Sequence, residues 1–155
     1  MKRRFWLLFS VIPVLAFALI SDVAAGQTDG VKGEGGRPFT TVLMGSNEVP
    51  AATGSDLTGT AQVTINLGQS ELCWDLDYTT ATQHVFAAHI HHAAAGSAMP
   101  PLIPFFNTAA TRADSGCQSV ARALLADIVA HPSDYYVNVH TVEHKAGAGR
   151  GQLTK

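Results

Sequence analysis

Gly59-Thr-Ala-Gln-Val-Thr-Ile-Asn-Leu67, followed after Gly68-Gln-Ser70 by Glu71-Leu-Cys-Trp-Asp-Leu-Asp-Tyr78, alternates apolar and other residues at a period of two. Because successive side chains of a β-strand point to opposite faces, each run predicts a strand with one buried face. A three-residue connection containing glycine predicts an antiparallel hairpin. The expected buried positions are Ala61, Val63, Ile65 and Leu67 in the first strand and Leu72, Trp74, Leu76 and Tyr78 in the second.

The rest of the chain contains several more short β-like runs and one helical pattern. Apolar residues at helical spacing predict a helix over Cys117–Ala130, which Pro132 ends. About seven short strands with one short helix indicate a mainly β protein, an antiparallel sandwich or barrel. The further predicted strands are Phe39–Met44, Phe86–His92, Leu102–Phe106, Tyr135–Thr141 and a last edge strand within Gly147–Leu153.

Residues 1–25 have the outline of a secretory signal peptide. Basic residues 2–4 precede the apolar run Phe5–Ile20, and Val23-Ala-Ala25 offers small residues for cleavage. A retained membrane anchor is the alternative, but Pro13 interrupts a run that is short for a bilayer span. We therefore expect a secreted or periplasmic protein that does not stay in the membrane after cleavage.

The remaining chain divides into a flexible lead-in and one domain. Residues 26–38 are glycine-rich and without periodicity, and residues 39–155 hold every predicted element. Without residues 1–25 the chain keeps seven basic and eleven acidic residues, a net charge of −4 with neutral histidines. A weakly acidic surface without a basic run gives no electrostatic reason to bind nucleic acid.

Cys73 and Cys117 are the chain's two cysteines. An even count in an oxidising compartment predicts one disulfide. The alternative is a pair of metal-binding or redox thiols, for which the sequence has no C-x-x-C spacing.

Two of the predicted strands carry a candidate metal site. On the first, His89 and His91 share a face and stand about 7 Å apart along the backbone; on the second, Tyr136, Asn138 and His140 lie together. A third imidazole from a neighbouring strand completes a nitrogen set suited to zinc or copper. We therefore predict His89, His91 and His140 as the metal ligands.

The alternative for these histidines is a hydrogen-bonded polar network with a structural role. Glu48, Asn138 and Arg150 are then its expected partners, either as the residues that orient the ligands or as structural groups. For Arg150 we expect an ion pair with Glu48 or Asp75. The histidines expected to be solvated are His84, His92, His131 and His144.

Four segments together resemble the CHRD domain, a module named after chordin that also occurs in secreted bacterial proteins. They are Phe39-Thr-Thr-Val-Leu-Met-Gly-Ser-Asn-Glu-Val-Pro50, Ala88-His-Ile-His91, Pro132-Ser-Asp-Tyr-Tyr-Val-Asn-Val-His-Thr141 and Gly149-Arg-Gly-Gln-Leu153. The resemblance implies an exported immunoglobulin-like β-sandwich or barrel whose activity is undefined, and Cys73 with Cys117 resembles the cysteine pair of bacterial members. His92 is an addition to the family's usual pattern.

The expected function is an exported, non-enzymatic CHRD-type binding or structural module with a histidine-centred site for a transition metal. Its partner is expected to be an extracytoplasmic protein or an envelope component. The alternative is a copper- or zinc-dependent metalloenzyme or metal carrier, with histidines arranged as in copper–zinc superoxide dismutase. A third hypothesis is an adhesive module in which the histidines are structural. No serine lies in a G-x-S-x-G setting, so nucleophilic catalysis has no support.

Overall fold

The computed structural model describes residues 35–155. The expected signal peptide and most of the lead-in lie outside these described residues. Among them, none of the helices has the length and apolar character needed to cross a membrane. The first strand begins at Arg37, two residues before the predicted run.

Eight strands form one antiparallel sheet, in the order β5-β4-β7-β8-β1-β2-β3-β6. The strands are β1 (Arg37–Met44), β2 (Thr58–Asn66), β3 (Glu71–Thr79), β4 (Val85–His92), β5 (Pro101–Phe106), β6 (Ser115–Ser119), β7 (Tyr135–Thr141) and β8 (Gly149–Gln152). The helix α1 spans Arg122–Ala130, and single 3₁₀ turns span Gly45–Asn47, Ala109–Thr111 and Pro132–Asp134.

The predicted hairpin is confirmed as β2–β3. Its strands pair from Thr58↔Thr79 to Asn66↔Glu71. Leu72, Trp74 and Leu76 are buried, whereas Asp75 and Asp77 of the same strand are exposed. The period-two pattern therefore predicted the correct face, because only one side of this hairpin meets the core.

The sheet curls until its two edge strands meet, which makes the fold a nearly closed barrel. Gln118 of β6 donates a hydrogen bond from Nε2 to the Pro104 carbonyl oxygen of β5 at 2.8 Å. Trp74 stacks on Phe105 with ring centroids 4.8 Å apart. The prediction of a mainly β, antiparallel sandwich or barrel with one short α-helix is thus confirmed, and the single continuous sheet is of the barrel kind.

The helix is shorter than predicted. It begins at Arg122 and buries Leu125 and Ile128 in the barrel core. Cys117, expected at the helix start, instead lies on β6, where it pairs in register with Cys73 of β3. Pairing with a neighbouring strand has here overridden the local helical spacing, which continued past the true N-terminus.

β8 is an interior strand, whereas an edge strand was predicted. It pairs with β7 on one side and contacts β1 on the other. Gly149 and Gly151 are needed there, because a Cβ atom at Gly149 would collide with Leu57 and one at Gly151 with Thr41 of the neighbouring strand β1. Two glycines in four residues leave no apolar alternation, so the sequence pattern could not place this strand.

The sulfur atoms of Cys73 and Cys117 lie at disulfide-bonding distance. The bond joins β3 to the edge strand β6. Since both sulfurs are used in it, the alternative of metal-binding thiols is not supported, and a disulfide fits an oxidising compartment.

β7 is buried on both faces. Every one of its residues, from Tyr135 to Thr141, is buried. Val137 and Val139 pack in the barrel core, so Tyr136, Asn138 and His140 lie on the outer face, where loops cover them. This covered outer face of β4, β7 and β8 holds the candidate site.

Candidate metal centre

Strand register brings the three predicted histidines together. β4 and β7 pair so that His89 is opposite Asn138 and Ala87 is opposite His140. His89 and His91 are two residues apart on one strand and therefore share its outer face. The ring centroids lie 5.7 Å apart for His89 and His91, 4.9 Å for His89 and His140, and 5.8 Å for His91 and His140.

Each of these rings is held by a hydrogen bond at one of its two nitrogens. His89 Nε2 is 2.7 Å from Asn107 Oδ1. His91 Nδ1 is 2.7 Å from the Met99 carbonyl oxygen, and His140 Nδ1 is 3.0 Å from the Lys145 carbonyl oxygen. Because a carbonyl oxygen only accepts, these nitrogens carry the N–H, and the opposite nitrogen of each neutral ring has a free lone pair.

The three opposite nitrogens are buried and have no hydrogen-bond partner in the described part of the chain. They are His89 Nδ1, His91 Nε2 and His140 Nε2. One ligand nitrogen from each ring lies within 4.8 Å of the other two. Ligand nitrogens around a tetrahedral zinc ion are about 3.3 Å apart, so closing the site on an ion needs ring movements on the order of 1 Å.

Burial keeps the imidazoles neutral. It lowers the pKa of His89, His91 and His140 from their ordinary 6.5, in the case of His140 to about 4. Electrostatic repulsion from the neighbouring histidines lowers the pKa of His140 further. Neutral imidazole is the form that binds metal, so the site needs no deprotonation of its ligands at neutral pH.

Arg150 holds the loop between β4 and β5, which covers the site. The side chain is 2% exposed and donates from Nη1 to the Ser97 carbonyl oxygen at 2.6 Å and from Nη2 to the Ala94 carbonyl oxygen at 3.1 Å. Its guanidinium also lies over the Tyr136 ring, 3.5 Å from the centroid. Tyr136 in turn stacks on His91 at 4.7 Å, so the arginine supports a ligand ring through the tyrosine.

The expected ion pair of Arg150 with Glu48 or Asp75 was wrong. The guanidinium donates to the Gln152 side-chain oxygen as well as to the loop carbonyls. Asp75 is exposed on β3. In the sheet, β1 and β2 lie between β3 and β8, the strand that carries Arg150. The guanidinium instead donates its hydrogen bonds to neutral oxygens, those of two backbone carbonyls and of the Gln152 amide.

Glu48 and Asn138 lie beside the histidines. Asn138 donates from Nδ2 to Glu48 Oε2 at 3.2 Å. Burial raises the pKa of Glu48 to about 7, although Arg150 and the hydrogen bond from Asn138 act in the lowering direction. These two residues therefore contact each other, and neither is a hydrogen-bond partner of a ligand histidine as the network hypothesis expected.

The four remaining histidines stay outside the cluster. His144 is half-buried in the turn after β7, where its backbone N–H donates to Thr141 Oγ1. His84 pairs with Glu143 and His131 with Asp127, both on the exposed surface. His92 is exposed and stacks on Tyr135. Sequence reasoning missed the groups that orient the three rings. Asn107 follows β5 without any motif, and the carbonyl oxygens of Met99 and Lys145 carry no side-chain signal.

Comparison with known protein families identifies the CHRD domain. The family model of the CHRD domain matches residues 39–153, a range that includes nearly all of the barrel and all three clustered histidines. No curated protein and no solved structure matches the chain.

Proposed function

Because this chain belongs to the CHRD domain family, we propose that it is an exported binding or structural module that holds one copper or zinc ion at His89, His91 and His140. The observation that carries the proposal is the orientation of the rings. In each ring one nitrogen is fixed by an oxygen acceptor and the other is buried without a hydrogen-bond partner in the described chain. One ligand nitrogen from each ring lies within 4.8 Å of the other two. A buried nitrogen acceptor without a partner is unfavourable by about 1–3 kcal/mol, and a bound ion removes that cost for all three.

The structural alternative, a hydrogen-bonded histidine network, accounts less well for the same atoms. A network links its members, but the three free nitrogens have no partner within the described residues. The contacts on the other side of each ring are of the type that orients metal-bound histidines, with the second ring nitrogen donating to a carbonyl or amide oxygen. The donor set of three imidazoles suits zinc and copper.

The proposal also includes the location of the protein and the kind of partner it binds. The disulfide between Cys73 and Cys117 and the expected signal sequence both support an oxidising, extracytoplasmic location. There the module would serve an extracytoplasmic protein or an envelope component as its partner, with the metal either stabilising the loops over β4 and β7 or being carried to that partner.

A metalloenzyme is the second candidate, and the number of ligands favours it. Three protein donors leave at least one coordination position of the ion open, as in catalytic rather than structural zinc sites. Turnover of a redox substrate by the copper-loaded protein, lost in the variant His140→Ala, would support this candidate. If the ion binds but the loaded protein shows no such turnover, a carrier or structural role is the remaining explanation.

Metal content of the untagged protein, purified from its export compartment, tests the proposal. Elemental mass spectrometry should find about one copper or zinc ion per chain, and the double variant His89→Ala/His91→Ala should contain none while keeping its β-sheet circular dichroism. The matched control is His84→Ala/His131→Ala, which removes two exposed histidines. A wild-type protein that is empty and also refuses added copper and zinc would overturn the proposal.

A further inference from the structure

Glu48 is the one buried acidic residue of the described chain. It follows the 3₁₀ turn Gly45–Asn47 and its carboxylate reaches the outer face of β7. There it packs against Gly147, where a Cβ atom would collide with the carboxylate. The glycine thus makes room for an acid whose position costs desolvation, and this raises the question of what the acid does.

The hydrogen bonding of Glu48 and Asn138 is incomplete as long as the acid is ionised. The amide nitrogen of Asn138 donates to Oε2, but Glu48 Oε1 and Asn138 Oδ1 are both buried without a partner in the described structure. Two oxygen acceptors cannot bond each other. A proton on Oε1 turns one of these two acceptors into a donor, and a protonated acid and an amide can exchange two hydrogen bonds.

The proposed metal centre has a positive charge with no anionic ligand. Three neutral imidazoles leave the full charge of a divalent ion on the site, and the buried cation of Arg150 lies nearby. Asn138 stands opposite His89 in the strand register, so a single residue separates the Glu48 carboxyl group from a ligand. Buried charge needs a nearby countercharge, and Glu48 is the buried group in the described chain that can supply it.

We propose that Glu48 is a neutral carboxylic acid paired with the Asn138 amide and that it releases its proton when a divalent ion binds the three histidines. The inference rests on the proposed function of the histidine site. In the exchange the carboxyl O–H bond breaks, its electron pair stays on the carboxylate as the countercharge, and the proton passes to solvent buffer. Metal uptake is thereby coupled to pH, with weaker binding in acid.

The charged surroundings of Glu48 are compatible with this exchange at neutral pH. Burial raises its pKa to about 7, and Arg150 opposes that rise. On the solvent side, Glu143, His144 and Lys145 line a crevice together with Glu48, and Glu143 is paired with His84. Behind Asn138 stand the three neutral histidines. A nearby divalent ion adds to the effect of Arg150 and favours the carboxylate.

Calorimetric titration of zinc into the metal-free protein at pH 6, in two buffers of different ionisation enthalpy, measures the protons released. Wild type should release about one proton per zinc ion more than Glu48→Gln. The glutamine amide can exchange the same two hydrogen bonds with Asn138, so this variant imitates the protonated acid, and we expect it to bind zinc about tenfold more weakly. Glu143→Gln, from the same crevice but exposed, should release protons like wild type.

Equal proton release by wild type and Glu48→Gln would overturn the inference and leave the metal site standing. A wild-type protein that takes up no zinc would overturn both. The state of the acid is also measurable without metal: the infrared difference spectrum of wild type minus Glu48→Gln at pH 6 should contain the C=O band of a protonated carboxyl group. A carboxylate band in its place would overturn the inference independently of zinc.

Discussion

His89 and His140 stand on neighbouring strands with ring centroids 4.9 Å apart, and each is tied to a different covering segment. Asn107, just after β5, holds His89, and the Lys145 carbonyl oxygen, between β7 and β8, holds His140. The strands thus set the spacing of the imidazole rings, and the loops set which nitrogen of each ring has no hydrogen-bond partner in the described chain.

Replacing Asn107 by alanine should weaken metal binding with little change in stability. Asn107 is exposed, so the free energy of unfolding should change by about 0.5 kcal/mol or less. His89 loses the acceptor that fixes its tautomer, and we expect zinc affinity to fall about 10- to 100-fold. Titration against a chromophoric chelator measures this. Asn47→Ala, an exposed asparagine that bonds the Arg150 backbone oxygen, is the control, and an equal loss in both variants would contradict the role of Asn107.

Arg150→Lys should destabilise the protein although the charge is kept. Lysine cannot reproduce the fork that bonds Ser97, Ala94 and Gln152 together with the stack on Tyr136. We expect the free energy of unfolding measured in urea to fall by about 2–4 kcal/mol. We also expect faster proteolysis within the loop over the site, residues 93–100 between β4 and β5. The conservative change Arg122→Lys, at an exposed arginine on α1, should be nearly neutral, and similar losses in both would contradict this account.

Removing the disulfide should lower stability through the unfolded state. Cys73 and Cys117 are 44 positions apart, and closing a loop of that length stabilises by about 4 kcal/mol in the chain-entropy model. The variant Cys73→Ala/Cys117→Ala should therefore unfold at lower urea concentration and with a larger m-value. Mass spectrometry of the non-reduced protein after alkylation should detect no free thiol, and two alkylated cysteines would refute the bond.

Two buried groups predict opposite trends of stability with pH. The pKa of Glu48 is raised by burial from 4.5 to about 7. Between these values the folded protein binds more protons than the unfolded chain, so its stability falls as the pH rises. The pKa of His140 is lowered by burial from 6.5 to about 4. Here the unfolded chain binds more protons, so stability rises with pH over that interval, and the two effects offset each other.

The variant Glu48→Gln removes the pH dependence of stability that Glu48 causes and keeps the one that His140 causes. Relative to wild type, the metal-free variant should gain about 3 kcal/mol in unfolding free energy as the pH rises from about 4 to about 8, because the pKa of Glu48 is raised from 4.5 to about 7. Above that range we expect no further gain. Urea denaturation across this interval, with a chelator present, measures the difference. A difference that does not change with pH would mean that folding does not raise the pKa of Glu48.

Sequence periodicity predicted the side-chain faces of the site correctly. The alternation in Tyr135–Thr141 placed Asn138 and His140 together, because a period of two leaves no freedom once the strand is assigned. On a second strand, the spacing of His89 and His91 placed both histidines on one face. That this face meets the one carrying His140 is visible only in the structure. The resemblance in four separated segments added the family, which a single motif would not have identified.

The parts that sequence reasoning missed all depend on contacts between distant segments. β6 has few apolar residues, and its pairing with β3 is visible only in the fold. β8 can pack inside the sheet because its glycines fit where a Cβ atom would collide with other residues. Strand propensities do not describe such packing. The carbonyl oxygens of Met99 and Lys145 act through backbone geometry, so their residue types carry no information about the ligands they hold.

β7 is buried on both faces, and its two sets of alternate side chains serve separate purposes. Val137 and Val139 belong to the core, whereas Asn138 and His140 belong to the covered outer face. We therefore expect that substitutions in the outer set change the side chains of the candidate metal site without repacking the barrel. The same backbone could be redesigned to display other donor sets, such as two histidines and a carboxylate, and would offer a scaffold for selecting binders of different metals from one library.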